Sequence, residues 1–260
     1  MTQIAFMTAN EVARESGWAI HSWAEGDRTT NEAFAPIETY GERFDALLRR
    51  AGALGFEAID LWGAHLGPDW ATEEHVAIAR EALGRHGLTV ATYATWIGPG
   101  SVERACELAR AVGTSVIGGG FSGEAAALVP VLREHGVTLA IENHPERTPD
   151  EVLAKIEAGE GTMAATVDTG WWGTQGYDPV RAIEELGGHV AHVHLKDVLR
   201  RGEPHDTCAW GDGVVDIEAC VRALARLGYR GALAVEHEPM DRDPTEEIWA
   251  MRQQLEEWVR

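Results

Sequence analysis

The chain has 260 residues, of which 45% are hydrophobic and 25% are charged, so disordered, fibrous and disulfide-scaffold proteins are excluded as classes. Asp and Glu number 42 against 22 Lys and Arg, which gives a formal net charge of −20. Because a surface this acidic repels phosphate backbones and anionic lipid headgroups, we expect neither nucleic acid nor a membrane as a partner.

The three cysteines lie far apart and include no C-x-x-C pair, so no disulfide framework is expected. The first residues lack the cationic start and the apolar core of a secretory signal peptide. No window approaches the roughly 18 uninterrupted apolar residues of a membrane span. These features predict a cytoplasmic protein.

Short β-like runs alternate with longer helix-like segments along the whole chain, a pattern typical of parallel βαβ units. The strand candidates are mostly runs of Ala, Val and Ile without polar alternation, as in strands that are buried on both faces. Eight strands are predicted, at Ile4–Thr8, Phe56–Leu61, Leu88–Ala94, Ser115–Ile117, Thr138–Glu142, Met163–Asp168, His189–Leu195 and Ala232–Glu236.

The intervening segments carry apolar residues at helical spacing, and several are followed by a glycine suited to a left-handed C-cap. The clearest predicted helices are Glu73–His86, Val102–Val112, Val180–Leu186, Ile217–Leu227 and Thr245–Trp258. No Pro-rich or Ser-rich linker interrupts the series, so residues 1–260 are expected to form one domain.

We therefore predict an α/β fold, a single (β/α)8 TIM barrel, with an open doubly wound sheet as the alternative. The glycine triplet 118–120 does not supply the G-x-G-x-x-G motif that the alternative uses to bind dinucleotides. Long connections follow the first and seventh strands, at Ala9–Glu38 and Lys196–Val215. Because loops after the strands form the active-site face of this barrel, we expect both to line a substrate site.

Side chains able to bind metals recur at the carboxyl ends of the last four predicted strands. Residues two apart in a strand share a side, and this parity directs the four side chains into the barrel. Three converging carboxylates would repel one another and lose hydration unless a cation were bound. The pattern predicts a site for one divalent cation, held by Glu142, Asp168, His194 and Glu236.

Three carboxylates and one imidazole favour Mn²⁺, and Co²⁺, Mg²⁺ and Zn²⁺ are the alternatives. Four protein ligands would leave two positions of a six-coordinate ion for substrate oxygens or water, which is typical of a catalytic site. Taken singly, each of the four residues also fits a salt bridge or a hydrogen-bonded core position.

The segments ENHPE, VDTG, HVHLKD and VEHEP, which contain these four residues, resemble the xylose-isomerase-like TIM-barrel superfamily. The resemblance covers essentially the whole chain and includes D-tagatose 3-epimerases, 2-keto-myo-inositol dehydratases and catalytic subunits of C-glycoside deglycosidases. It implies that the four residues hold the metal and that Glu142 and Glu236 are also the catalytic acid/base pair. The implied chemistry removes a proton beside the carbonyl of a keto-sugar through a metal-stabilised enediolate.

Several functions share this first step or this fold. We expect a metal-dependent sugar isomerase or epimerase, with a lyase acting on keto-sugars, 3-keto-glycosides or keto-inositols as the alternative. A DNA-repair endonuclease of the same barrel is disfavoured by the net charge of −20 and by the lack of further histidines at the motif positions. A non-catalytic sugar-binding protein is disfavoured by the complete set of metal-binding residues.

Candidate substrate contacts follow the strands. The resemblance implies that Arg200, six residues beyond the metal histidine, contacts substrate, and that a histidine should stand where this chain has Trp171. Trp171, Trp62 and Trp96 are candidates for stacking on a sugar ring or an aglycone, and packing in the barrel mouth is their alternative role.

Two further polar residues lie near the metal-binding motifs. His144 is a candidate third acid or base, or a residue that holds Glu142 in place. Lys196 is one of only two lysines and is a candidate substrate contact, with an ion pair to a nearby carboxylate as the alternative. We expect a small-molecule sugar as substrate, and the superfamily makes a homo-oligomer or a small accessory subunit a further expectation.

Overall fold

A computed structural model describes residues 3–260. Its barrel strands and their order confirm the predicted (β/α)8 fold. The eight strands pair in parallel around a closed ring in the order β1-β10-β7-β6-β5-β4-β3-β2. Their bounds are β1 (Ile4–Met7), β2 (Ala58–Trp62), β3 (Thr89–Ala94), β4 (Val116–Gly119), β5 (Thr138–Glu142), β6 (Met163–Asp168), β7 (Val190–Leu195) and β10 (Leu233–Val235).

Helices surround the barrel and connect its strands. Their bounds are α1 (Trp23–Phe34), α2 (Ile37–Ala53), α3 (Glu73–His86), α4 (Val102–Ala111), α5 (Ala125–His135), α6 (Pro149–Ala158), α7 (Thr169–Gln175), α8 (Pro179–Leu186), α9 (Ile217–Arg226) and α10 (Thr245–Trp258). Two short strands, β8 (Asp197–Val198) and β9 (Thr207–Cys208), form an antiparallel pair in the connection after β7. Within residues 3–260, no helix is both long and apolar enough to span a membrane.

Strands β5 and β6 have the bounds that the sequence predicts, whereas β10 ends at Val235 and leaves Glu236 just beyond it. The predicted connection Ala9–Glu38 contains helix α1 and is not an irregular loop. Its helical pattern is weak because its buried residues, Gly26, Thr30 and Phe34, form one narrow stripe that includes a glycine and a threonine. A Ser22 side chain that accepts a hydrogen bond from the Glu25 backbone N–H fixes the start of the helix.

Alternate residues of the barrel strands face opposite sides. Large apolar residues such as Ile59 and Val235 pack with the helices, and small ones such as Ala58 and Ala234 pack in a separate cluster inside the barrel. Small residues leave the interior room for larger polar side chains. This alternation directs the polar residues at the strand ends towards a common centre.

Gly118 in β4 contributes to this room. A Cβ at Gly118 would lie 2.9 Å from Thr92 Cγ2 and 4.0 Å from His192 Cδ2. The glycine therefore lets the His192 imidazole and its neighbours pack across the barrel.

Candidate metal centre and active site

The four predicted metal ligands meet at the carboxyl end of the barrel. Each offers one ligand atom, and these atoms lie within 4.8 Å of one another. The parallel register pairs Glu142 with Thr166 and Asp168 with His194, which brings the ends of β5, β6 and β7 side by side. Glu236 joins them from the residue after β10. The strand ends thus deliver three carboxylates and one imidazole to one place.

The imidazole of His194 lies at the centre of this group. Its Nδ1 atom is 3.1 Å from Glu142 Oε1 and 3.2 Å from Glu236 Oε2. Burial lowers the pKa of His194, but the carboxylates of Glu236 and Glu142 raise it well above its usual range. Because Nδ1 lies close to both glutamates, it is the ring nitrogen that faces the other candidate ligands.

The donor set of this cluster fits a divalent cation. Among the described residues, Asp168 Oδ2 and Glu236 Oε2 are buried and have no hydrogen-bond partner. Each has only an ion-pair contact, Asp168 Oδ2 with Lys196 Nζ at 3.3 Å and Glu236 Oε2 with His194 Nδ1 at 3.2 Å. Buried carboxylate oxygens usually accept hydrogen bonds, because burial has removed their hydration. Hard oxygen donors with one imidazole suit Mn²⁺, Mg²⁺ or Co²⁺. These two oxygens and the Nδ1 of His194 are suitable metal-binding atoms.

The charge of Asp168 is poorly compensated by protein groups alone. Burial raises the pKa of its carboxyl to about 7, although the Lys196 ammonium lowers it. The neighbouring carboxylates of Glu236 and Glu142 raise it further. A cation in contact with Asp168 would favour its ionised form.

Lys196 belongs to the same buried group. Its Nζ atom lies 3.0 Å from Glu236 Oε1, 3.0 Å from Glu238 Oε2 and 3.3 Å from Asp168 Oδ2. Burial lowers the pKa of the ammonium, but Asp168, Glu236 and Glu238 raise it well above its usual range. The ion pair expected as the alternative role of Lys196 is therefore present, and it involves two of the candidate metal ligands.

Four aromatic rings form a row at one side of the barrel mouth, and we call them the rim: Trp96, His144, Trp171 and His205. Adjacent ring centroids are 6.5, 4.4 and 3.9 Å apart along this row. Trp96 is 50% exposed, and its ring lies so close to Gly120 that a Cβ there would collide with it. Trp96, His144 and His205 lie in the connections after β3, β5 and β7, and Trp171 lies in helix α7, so the rim is assembled from four separate segments.

His205 was assigned no role from the sequence, yet it stacks on Trp171 with an interplanar angle of 8°. Its Nδ1 is 2.7 Å from Thr174 Oγ1, and its Nε2 is buried without a hydrogen-bond partner among the described residues. Burial lowers the pKa of His205 to about 3, so the ring is neutral near pH 7. In the sequence, a single histidine in the long connection after β7 does not indicate this contact.

Two candidate substrate contacts lie apart from the metal ligands. Trp62 is buried, with its ring centroid 5.2 Å from that of Trp23 and 5.4 Å from that of His65. The Arg200 side chain is 53% exposed and pairs with Asp206 in the same connection. The structure brings neither side chain into contact with the metal-binding cluster.

Asp60 and Asn143 support the cluster and were not singled out from the sequence. The Asn143 amide accepts a hydrogen bond from the Asp168 backbone N–H (2.8 Å) and donates one to the Asp168 carbonyl (2.9 Å). Asp60 contacts the Nε2 atoms of His192 and His194 from inside the barrel. A signal existed for Asp60, because an acidic residue in the otherwise apolar strand AIDLW requires a buried partner.

A family model described as the xylose isomerase-like TIM barrel matches residues 48–257. The chain belongs to this family. The resemblance inferred from the four sequence segments is thereby confirmed. Membership in the xylose isomerase-like family establishes the barrel, and it leaves the reaction open.

Curated relatives match part of the chain. The chain is 31% identical over 125 residues to the rhizopine catabolism protein MocC of Rhizobium meliloti. The matched segment is 41% of this chain and 38% of that protein. The chain is 26% identical over 101 residues to the uncharacterized protein YihM of Escherichia coli (strain K12), covering 37% and 31%. The matches therefore span less than two fifths of each curated relative.

Two solved structures superpose over nearly the whole chain. An L-ribulose 3-epimerase has a TM-score of 0.72 at 18% identity, covering all of this chain and 95% of the other. The probable 3-DHS dehydratase AsbF from Bacillus anthracis has a TM-score of 0.71 at 15% identity, covering 98% and 99%. At these identities the likeness establishes the shared fold alone.

Proposed function

We propose that this protein is a divalent-metal-dependent sugar isomerase or epimerase that removes a proton beside the carbonyl of a keto-sugar. The observation that carries this proposal is the pair of glutamates beside one imidazole nitrogen, together with two buried carboxylate oxygens that accept no hydrogen bond among the described residues. Such an arrangement combines a cation site with two groups able to move a proton.

We also propose that residues 1–260 form one domain.

Glu142, Asp168, His194 Nδ1 and Glu236 would hold the cation, with Mn²⁺ as the proposed ion. When bound, the cation supplies positive charge that stabilises the substrate oxygen as it gains negative charge. Lys196 contributes a second positive charge beside Glu236 and Asp168, which orients their carboxylates. The protein thereby places fixed positive charge where the substrate becomes more negative.

The proton is exchanged by Glu142 and Glu236. The two side chains differ in exposure, with 19% for Glu142 and 3% for Glu236. A proton on Glu142 therefore equilibrates with water more readily than one on Glu236. In an epimerase, one glutamate takes the proton from one face of the carbon and the other returns it to the opposite face.

The rim binds the remainder of the substrate. Trp96 offers a half-exposed ring to the apolar face of a sugar, and His144 offers an imidazole between Trp96 and Trp171. All three cysteines are unpaired and buried, which agrees with the proposed cytoplasmic location.

A lyase acting on keto-sugars or keto-glycosides is the second candidate, and His144 is the observation that favours it. The His144 ring is held 4.4 Å from the Trp171 centroid and lies two residues beyond Glu142. Expulsion of a leaving group requires an acid in addition to the group that removes the first proton. The protonated imidazole of His144 would give its proton to the leaving group and become neutral.

Mass spectrometry of Mn²⁺-loaded protein in D₂O tests the proposal, with free ketoses, ketose phosphates, keto-inositols and 3-keto-glycosides as substrates. Deuterium gained in a recovered or isomeric sugar of unchanged composition is the expected result. Loss of water or of an aglycone would identify the lyase instead. No reaction with any substrate would contradict both, and the Glu236→Gln protein is the control for uncatalysed exchange.

A further inference from the structure

A buried carboxylate lies on the opposite side of His194 from the candidate metal ligands. Asp60 Oδ2 is 2.5 Å from His192 Nε2 and 2.8 Å from His194 Nε2, so both imidazoles donate hydrogen bonds to one oxygen. The side chains of all three residues are at most 1% exposed. Charge-assisted hydrogen bonds in such a buried place are strong and directional.

These contacts determine which nitrogen of His194 is free to bind a cation. An ionised carboxylate only accepts hydrogen bonds, so the nitrogen facing Asp60 keeps its proton. The other nitrogen, Nδ1, faces Glu142 and Glu236 and is the one left to bind a cation. The bond to Asp60 therefore holds the ring in the tautomer and orientation that a metal ligand needs.

Asp60 also connects distant parts of the barrel. It extends from β2, whereas His192 and His194 extend from β7, and strands β1 and β10 separate these two along the shorter way around the ring. His192 uses the same oxygen of Asp60, and its ring edge packs near Gly118. Asp60 is thus fixed by a second donor and cannot turn away from His194 without losing both bonds.

We propose that Asp60 is a positioning residue of the metal centre, which fixes His194 with Nδ1 towards the cation and strengthens that nitrogen as a ligand. The inference rests on the proposed metal-dependent function. Asp60, His192 and His194 also group closely enough to hold an ion of their own. Both imidazole Nε2 atoms lie at hydrogen-bond length from the same oxygen of Asp60, which favours the positioning role.

The first test compares the wild type with Asp60→Asn by titration calorimetry with Mn²⁺ and by the visible absorption of bound Co²⁺. The variant keeps the size of the side chain and loses its charge. Affinity for Mn²⁺ should fall by about 10–100-fold, as for other outer contacts of metal-binding histidines, and the Co²⁺ spectrum should shift. Thr92→Val, which alters another buried polar residue of the barrel interior, is the matched control and should change neither.

The second test needs no variant and so does not depend on Asp60→Asn folding. Long-range ¹⁵N NMR of histidine-labelled, Zn²⁺-loaded wild type should show His194 protonated at Nε2 and bound to the ion through Nδ1. An ion bound at Nε2, two ions per chain, or a folded Asp60→Asn protein with unchanged Mn²⁺ affinity and Co²⁺ spectrum would each overturn the inference. A wild type that binds no ion would refute the proposed function itself, and this inference with it.

Discussion

The floor and the rim of the barrel mouth are built differently. The floor consists of side chains from strand ends that are mostly buried and contact one another through charge: Glu142, Asp168, His194, Lys196 and Glu236. The rim consists of partly exposed rings from four separate segments, which contact one another in edge-on, tilted and stacked arrangements. Because the floor holds the groups that we propose to bind a cation and move a proton, we infer that it determines the reaction. The rim then determines which substrate is bound.

The strongest test of this difference between floor and rim is to remove one proposed metal ligand from the floor without disturbing the rim. Asp168→Asn should lower Mn²⁺ affinity by at least about 100-fold, because a lost ligand costs more than a lost outer contact. Asp168 Oδ1 also accepts the Trp171 backbone N–H at 2.9 Å and caps α7, and the asparagine keeps this acceptor. Calorimetry should therefore show lost binding in a protein whose circular dichroism is unchanged.

An Asp168→Asn protein that binds Mn²⁺ with full affinity would contradict the assignment of this residue. If affinity falls and α7 also unfolds, the loss would not be specific to the metal. Asp178→Asn is a control for this, because Asp178 caps the neighbouring helix α8 and lies outside the cluster.

The sequence predicts the floor well because strand periodicity determines it. Asp168 and Glu142 end strands with the predicted bounds, and parity correctly directs His194 and Lys196 inwards. Parity could not show that Lys196 Nζ contacts Glu238, since that depends on the path of the chain after β10. The hydrogen bonds of Asp60 were missed for a similar reason, because they cross the barrel between strands that are not neighbours.

The positions of the rim rings are predicted poorly from the sequence, because they depend on the conformations of the segments that follow the strands. Trp171 and Trp96 were singled out as residues that follow strands, but the stacking of His205 on Trp171 requires the fold of the connection after β7. That connection contains the β8–β9 pair, which no sequence pattern indicated. Arg200 was singled out from its spacing to His194, and the structure pairs it with Asp206 of the same connection.

A substitution in the rim should change substrate binding more than chemistry. In Trp171→Ala, His144 and His205 both lose a ring contact, and KM should rise by up to about tenfold while kcat changes less. The rise should be larger for keto-glycosides than for free ketoses if the ring contacts an aglycone. Trp249→Ala is the matched control, because that indole is exposed on α10 and belongs to neither the floor nor the rim. A fall in kcat with unchanged KM would remove the distinction between floor and rim.

The neutral state of His205 gives a pH test of how tightly the rim is packed. Burial lowers the pKa of His205 to about 3, below its value of about 6.5 in an unfolded chain. As the pH falls below 6.5, the unfolded state takes up a proton that the folded state does not, so His205 increasingly destabilises the fold. His205→Phe keeps a ring against Trp171 and removes this contribution.

The unfolding temperature of His205→Phe relative to the wild type should therefore rise by a few degrees between pH 7 and pH 4.5. The comparison of two proteins at each pH cancels the other acid-sensitive groups, which both contain. A difference that stays constant with pH would show that the imidazole is not buried against Trp171 as the structure has it.

The smallest expected effect concerns Arg200, which lies outside both floor and rim in this structure. Its pair with Asp206 is exposed, and such pairs contribute about 1 kcal/mol or less, so the guanidinium can exchange Asp206 for a substrate oxygen. If it does, Arg200→Gln should raise KM by about fivefold or less, in line with that energy. Asp206→Asn, which frees the arginine, should lower KM or leave it unchanged. Equal increases in both variants would instead mean that the pair only holds the connection after β7 in place, and Arg200 would then have no direct contact with substrate.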